Sequence, residues 1–250
     1  MKEAESRLSD LNAQQLSNSL WALAALCSDQ HSYSHFIQVW VKEAESRLSD
    51  FNPRELSSSL WALAKLDCTD CRFTARLLQA VCAQLQVFDS QAVSSTAFAL
   101  SMLRYQDPDF MQQLIHHARN RLPDFTSQEP VNTLLAMAWL DYNDTAFVDD
   151  AVRHLLMRGD SLNRQDICDT LWALCILDHS PAAVLQPLLA AASSALLLPD
   201  TIAVRSDDLQ ELSLQRRQAY QYLVTMEGQG HVSPAQHRQL WEVCQAAWAE

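Results

Sequence analysis

The stretch LNAQQLSNSLWALAAL, residues 11–26, decides the fold because it returns four times. The later copies are FNPRELSSSLWALAKL (51–66), FDSQAVSSTAFALSML (88–103), FTSQEPVNTLLAMAWL (125–140) and LNRQDICDTLWALCIL (162–177). Successive starts are offset by 40, 37, 37 and 37 residues. A fixed period of this length marks an array of small helical modules. The apolar frame of the phrase is constant, and a few polar positions within it vary.

Each copy opens with the signals of a helix start. Asn12, Asn52, Asp89, Thr126 and Asn163 stand in one column, and their side chains can accept a hydrogen bond from the free N–H groups of a first turn. Three residues on, Gln15, Glu55, Glu129 and Asp166 can reach back as in a capping box, while Ala92 breaks the rule in the third copy. The residue before each cap (Leu11, Phe51, Phe88, Phe125, Leu162) pairs with one four after it as a hydrophobic staple. Pro53 falls at the first helical position, where a missing N–H costs nothing. First helices are therefore expected to start near 12, 52, 89, 126 and 163.

Leu16, Leu20, Leu23 and Cys27 then recur at helical spacing as one buried stripe, and Ala22, Ala24, Ala62 and Ala64 allow neighbouring helices to approach closely. Between the phrases lie second amphipathic segments at 33–48, 72–87, 108–122, 145–158 and 181–198. A lone helix pair cannot bury its apolar face, but stacked pairs share one core. The expected fold is all-α: an α-solenoid of two-helix repeats of about 37–40 residues spanning 1–198, then a divergent helical cap at 199–250. In that cap, 207–226 reads as an amphipathic helix, and SPAQ at 233–236 starts a last one. Residues 2–10, KEAESRLSD, are identical to 42–50, so 1–10 reads as the remnant of a preceding repeat and the chain as the N-terminally incomplete part of a longer array.

Composition agrees. The 250 residues are 48% hydrophobic with only three glycines, as suits a helical protein with a sizeable core. No apolar run is long enough to cross a bilayer, no targeting segment is visible, and seven cysteines scattered mostly through helices argue against a disulfide framework. The Cys68–Cys71 CxxC has no second pair to complete a zinc site. There is no glycine-rich phosphate loop, no GxSxG and no HExxH, since His31 and His35 lack the glutamate. Neither catalysis, a metal nor a small-molecule cofactor is expected.

The strings LSNSLWALAAL, LSSSLWALAKL and CDTLWALCIL resemble the octotricopeptide repeats of organellar RNA-binding proteins, and the leucine-rich helical repeats of FAST-kinase-like proteins that carry a RAP domain. The resemblance covers 11 to about 198, and QHRQLWEVCQAA near the end is similar to the segment before the terminal domain of such proteins. No RAP domain is evident in this chain. The resemblance implies an α-solenoid that binds single-stranded RNA in the chloroplast or mitochondrion and takes part in transcript processing, stability or translation.

Helical geometry suggests where such RNA would sit. Positions four apart share a helix face, so Gln14 with Asn18, Arg54 with Ser58, Gln91 with Ser95, Gln128 with Asn132 and Gln165 with Asp169 form a ladder of polar pairs turned from the leucine stripe. Amides, hydroxyls and carboxylates at regular intervals can meet the edges of unstacked bases. The ordinary alternative is that such side chains bond to backbone and brace the stack. Trp21, Trp61 and Trp172 are replaced by Phe98 and Leu135 in the other copies, and so read as packing residues.

Charge opposes this reading. Eighteen Lys and Arg against thirty Asp and Glu leave −12, whereas nucleic-acid binders usually carry a basic footprint. Arg47, Arg119, Arg121 and Arg158 lie toward the ends of second helices, where they either contact phosphates or complement the helix dipole. The rival class is a protein-binding scaffold, because solenoid surfaces also take peptides and an acidic one suits a basic partner.

Overall fold

The computed structural model describes residues 7–26, 33–68, 71–158, 162–179, 185–196, 206–228, 235 and 237–249. Residues 1–6, Cys27, His31, Thr69, Asp70, Pro181 and most of the 233–236 start signal lie outside the described residues. The chain divides into two compact units, Met1–Asp124 and Phe125–Glu250. Unit 1 holds α1 (Ala13–Leu26), α2 (Ser34–Glu45), α3 (Pro53–Lys65), α4 (Cys71–Gln84), α5 (Ser90–Leu103) and α6 (Pro108–Asn120). Unit 2 holds α7 (Gln128–Trp139), α8 (Thr145–Met157), α9 (Arg164–Ile176), α10 (Leu185–Leu196), α11 (Ser206–Gly228) and α12 (Arg238–Ala249). No strand occurs among the described residues.

Helices α1, α3, α5, α7 and α9 are the repeated phrases, and within each unit they pack side by side. In unit 1, α3 lies between α1 and α5; in unit 2, α9 lies between α7 and α11. Each even-numbered helix of a repeat packs on the phrase before it, which makes an all-α array of stacked helix pairs, the α-solenoid architecture. Helix α11 takes the place of one more phrase helix against α9, and α12 packs on α11. Small side chains permit the tight approach: Ala62, Ala97, Ala99, Ala136 and Ala173 are fully buried. So is a column of hydroxyls, Ser59, Thr96 and Thr133. Thr133 and Thr170 turn their hydroxyls back to the carbonyls of Glu129 and Asp166, at 2.8 and 2.6 Å, which keeps a polar atom satisfied where no water reaches.

The helix starts follow their local chemistry. Asn12 and Gln15 exchange reciprocal bonds of 2.9 and 3.0 Å, Asn52 and Glu55 do the same at 3.0 and 2.8 Å, and Asn163 and Asp166 at 2.9 and 3.2 Å. Asp89 makes only the forward bond, to the Ala92 N–H, because alanine cannot return it. The fourth start differs from expectation: α7 begins at Gln128 behind Ser127, and Thr126 does not cap it with its side chain. Glu129 still accepts the Thr126 N–H at 2.6 Å, the return half of the capping box. The short 3-10 helices Leu8–Asp10 and Leu48–Asp50 adopt the same local structure, as their shared sequence requires.

The helix ends were less visible in the sequence, since no glycine marks them. Asp67, Arg104, Asp141 and Asp178, spaced 37 apart, adopt left-handed backbone with φ of 50–53°. The next residue bonds back to the carbonyl five residues before it in the Schellman pattern: Cys68 to Leu63 at 2.9 Å, Tyr105 to Leu100 at 3.0 Å, Tyr142 to Met137 at 2.9 Å and His179 to Leu174 at 3.1 Å. Aspartate tolerates this conformation through its short polar side chain, but arginine has no such relief.

One joint ties the two helices of a repeat together. In the first four repeats the carbonyl of the residue before the cap accepts a hydrogen bond from a polar side chain near the end of the repeat's second helix. Arg47 donates to Leu11 at 2.7 Å and Gln84 to Phe51 at 2.8 Å; His117 bonds the Phe88 oxygen at 3.1 Å, and His154, with Arg158, that of Phe125 at 3.2 Å. Phe51, Phe88 and Phe125 are themselves buried to within 1%. Each contributes about 2 kcal/mol of hydrophobic stabilisation while its carbonyl is held. In the first repeat Trp40 of α2 adds a second tie: its indole N–H donates to the Leu16 carbonyl at 2.9 Å, and its ring meets Phe51 and Phe73 edge-on at 6.5 and 6.0 Å.

Two substitutions test these devices. Gln84→Met keeps the length and removes the donor, so it is expected to cost about 1–3 kcal/mol in denaturant unfolding by leaving the Phe51 carbonyl unpaired. Arg104→Gly removes the left-handed strain and is expected to raise the melting temperature, with a gain of up to about 1 kcal/mol. A loss of about 1 kcal/mol for Arg104→Gly, the full unfolded-chain cost of a glycine, would mean that the turn carries no strain.

Candidate nucleic-acid interface

The polar ladder lies where the leucine stripe does not. On α1, Gln14 and Asn18 are exposed while Leu16 and Leu20 are fully buried; on α3, Arg54 is exposed and Ser58 half-buried above buried Leu56 and Leu60. On α5, Gln91 is exposed and Ser95 half-buried, opposite buried Val93 and Ala97. Side-by-side packing of α1, α3 and α5 brings these pairs to the walls of a single cleft of about 290 Å³. Five of the ten ladder residues line it: Asn18, Arg54, Ser58, Gln91 and Ser95. Gln14 stays exposed on α1 outside that lining.

The same cleft contains residues that the sequence reading assigned otherwise. Trp21 lines it and is 50% exposed, so it is not a core residue. It was legible as such only by helical arithmetic, because it sits three residues after Asn18 and seven after Gln14, on the polar face. Ser57, whose hydroxyl donates to the Arg54 carbonyl at 3.1 Å, and the cap residue Asp89 complete the polar wall. The cleft therefore offers amides, hydroxyls, an aromatic surface, the Arg54 cation and the Asp89 carboxylate.

In unit 2 the ladder is arranged differently. Gln128 is exposed and Asn132 half-buried on α7. On α9, Gln165 donates to Asp169 at 2.7 Å, and the buried Gln215 of α11 donates to Gln165 at 2.9 Å. The cap helix thus engages this last pair in an internal chain of hydrogen bonds, the bracing role that such side chains also serve. Burial pushes the Asp169 carboxyl above its usual range; the Gln165 bond draws it down and the neighbouring Asp166 charge pushes it up again. Trp172 is half-buried and meets the half-exposed Trp139 edge-on at 6.2 Å.

The second-helix arginines serve the scaffold. Arg47 and Arg158 hold the joint carbonyls, and Arg47 also faces Glu43 at 3.5 Å and Asp50 at 3.8 Å. Arg121 pairs with Asp124 at 3.7 Å, and Arg119 also has a partner. The acidity is unevenly shared. Residues 1–124 carry eleven Lys and Arg against fourteen Asp and Glu, or −3, whereas 125–250 carry seven against sixteen, or −9. The cleft lies in the nearly neutral part. Among the described residues no cluster of three or more His, Cys, Asp or Glu is placed to hold a metal, and no helix is long and apolar enough to cross a membrane.

Asp169 gives a pH test. Its raised folded pKa means that the folded state holds a proton more tightly than the unfolded chain does, so its contribution is lost as pH rises from the unfolded value toward the folded one. Asp169→Asn keeps the acceptor for Gln165 and is expected to raise the melting temperature at pH 7. The gain should shrink toward zero in thermal scans run below the ordinary aspartate range.

Residues 1–180 match the family model described as Tbc2 translation factor, N-terminal domain. No curated protein matches the chain. The family match takes in the phrases of all five repeats and well over half of the chain, and the protein belongs to the Tbc2 translation factor N-terminal domain family.

Proposed function

We propose that this protein binds single-stranded RNA through the unit 1 cleft and acts in the translation, stability or processing of organellar transcripts. The observation that carries the reading is the convergence of Asn18, Arg54, Ser58, Gln91 and Ser95, from three successive repeats, on one polar cleft. Amides and hydroxyls fixed on rigid helices suit the donor and acceptor edges of unpaired bases, which helical-repeat proteins read in this way. Membership of a translation-factor family supports an RNA-related role. The likeness of LWALA-type phrases to octotricopeptide and FAST-kinase-like repeats supports the organellar setting, in the chloroplast or the mitochondrion. The reading is of a binding protein with no catalytic step of its own.

Fluorescence anisotropy with a labelled random pool of 12-nucleotide RNAs tests it. The protein is expected to bind at low salt, with a shallow salt dependence: one arginine neutralising one phosphate gives a slope near −0.7 in log K against log salt. Replacing Asn18, Ser58 and Ser95 together by alanine is expected to weaken binding at least about tenfold, as several base-edge contacts vanish. Unchanged binding in that variant would remove these residues from the site. The −9 carried by residues 125–250 favours the second reading, a scaffold for a basic protein. Failure to bind any RNA at low salt, alongside capture of such a partner, would establish it.

A further inference from the structure

The helix face that bears the polar ladder continues into an aromatic column. Residues i, i+4 and i+7 share a face, which groups Gln14, Asn18 and Trp21 on α1, then Arg54, Ser58 and Trp61 on α3, then Gln91, Ser95 and Phe98 on α5. The ring environments differ. The Lys65 ammonium stands 6.0 Å over the Trp61 ring, and Phe98 is half-buried. At the corresponding place in unit 2, Leu135 is buried and Trp172 meets Trp139 edge-on. Trp21 alone of these five lines the cleft, and half of its surface is open.

A core explanation does not account for Trp21. The tryptophan that does serve the core, Trp40, is fully buried with its N–H bonded and two rings against its own. An indole left half in water forgoes much of the burial energy that would justify it as packing. The fold does not require the ring either, since the fourth repeat carries Leu135 there.

Resting on the RNA reading above, we propose that Trp21 is a stacking platform for one unpaired nucleobase in the cleft. Asn18 and Ser58 lie within reach of that base's edge, and Arg54 supplies the cation for its phosphate. The size of the cleft suits this occupant: about 290 Å³ is at the lower limit of small-molecule sites. Every base has a π-face, so stacking contributes affinity whatever the sequence, and a single stack is commonly equivalent to about tenfold in affinity.

The experiment compares Trp21→Leu and Trp21→Phe with the unaltered full chain. Two fluorescein-labelled probes are used: the random 12-nucleotide RNA pool, and a 12-nucleotide ribose-phosphate strand that lacks bases throughout. Leucine is the informative change because the array already accepts it at the matching position, and circular dichroism checks the helix content of both variants. The expected result is about tenfold weaker binding of the pool by Trp21→Leu, near-normal binding by Trp21→Phe, and no effect of either change on the abasic strand. If the unaltered protein binds the pool and Trp21→Leu binds it equally well, the stacking role is overturned while the RNA reading stands. Equal losses on the pool and the abasic strand would also overturn it, by showing that Trp21 acts on the backbone or the fold. No binding of the pool by the unaltered protein would overturn both.

Discussion

The carbonyl ahead of the phrase helix is the point on which the first four repeats depend. It belongs to a side chain driven into the core, Phe51, Phe88 or Phe125, and so it enters a region where an unpaired oxygen is costly. The repeat supplies the missing donor from the far end of its own second helix, Gln84, His117 or the His154–Arg158 pair, and in the first repeat Arg47 does the same for the half-buried Leu11. This bond ties the end of the second helix of a pair to the start of the first. With pairs tied in this way, phrase helices lie side by side within each unit, with alanine and small hydroxyl residues between them.

The exposed face of each phrase helix follows from that packing. With Leu56 and Leu60 turned into the core, helical geometry leaves Arg54, Ser58 and Trp61 on the other side, and the same holds for α1 and α5. Repetition then does what no single helix could, bringing polar groups from three repeats to one cleft. At α9 the outcome differs because α11 packs there and Gln215 takes up Gln165. The same position in the phrase is thus a wall of the cleft in one place and a brace in another, decided by which helix lies next to it.

How far the sequence could be read depended on whether each signal was local. The helix starts were legible because cap, capping box and staple lie within a few adjacent residues, and the one departure, at Ser127, shifts a start by a single residue. The helix ends were not, because Asp67, Arg104, Asp141 and Asp178 adopt a conformation usually marked by glycine. The joint was hidden for a different reason: arginine, glutamine and histidine perform one role at distances of 29 to 36 residues, so no motif records it. At the cleft, periodicity located five of the polar residues but took Trp21 for packing, since a tryptophan amid LWALA reads as core until its neighbours are placed. The engagement of Gln165 and Asp169 depended on α11, whose sequence does not announce its partner.

The central claim is that RNA meets the exposed faces of the phrase helices in unit 1. Photocrosslinking the full chain to a 12-nucleotide pool carrying 4-thiouridine, followed by mass spectrometry of the modified peptides, tests it most directly. The account predicts adducts concentrated in residues 13–26, 53–65 and 89–103, and sparse in α2, α4 and α6. Adducts confined to those second helices, or to α11 and α12, would contradict it.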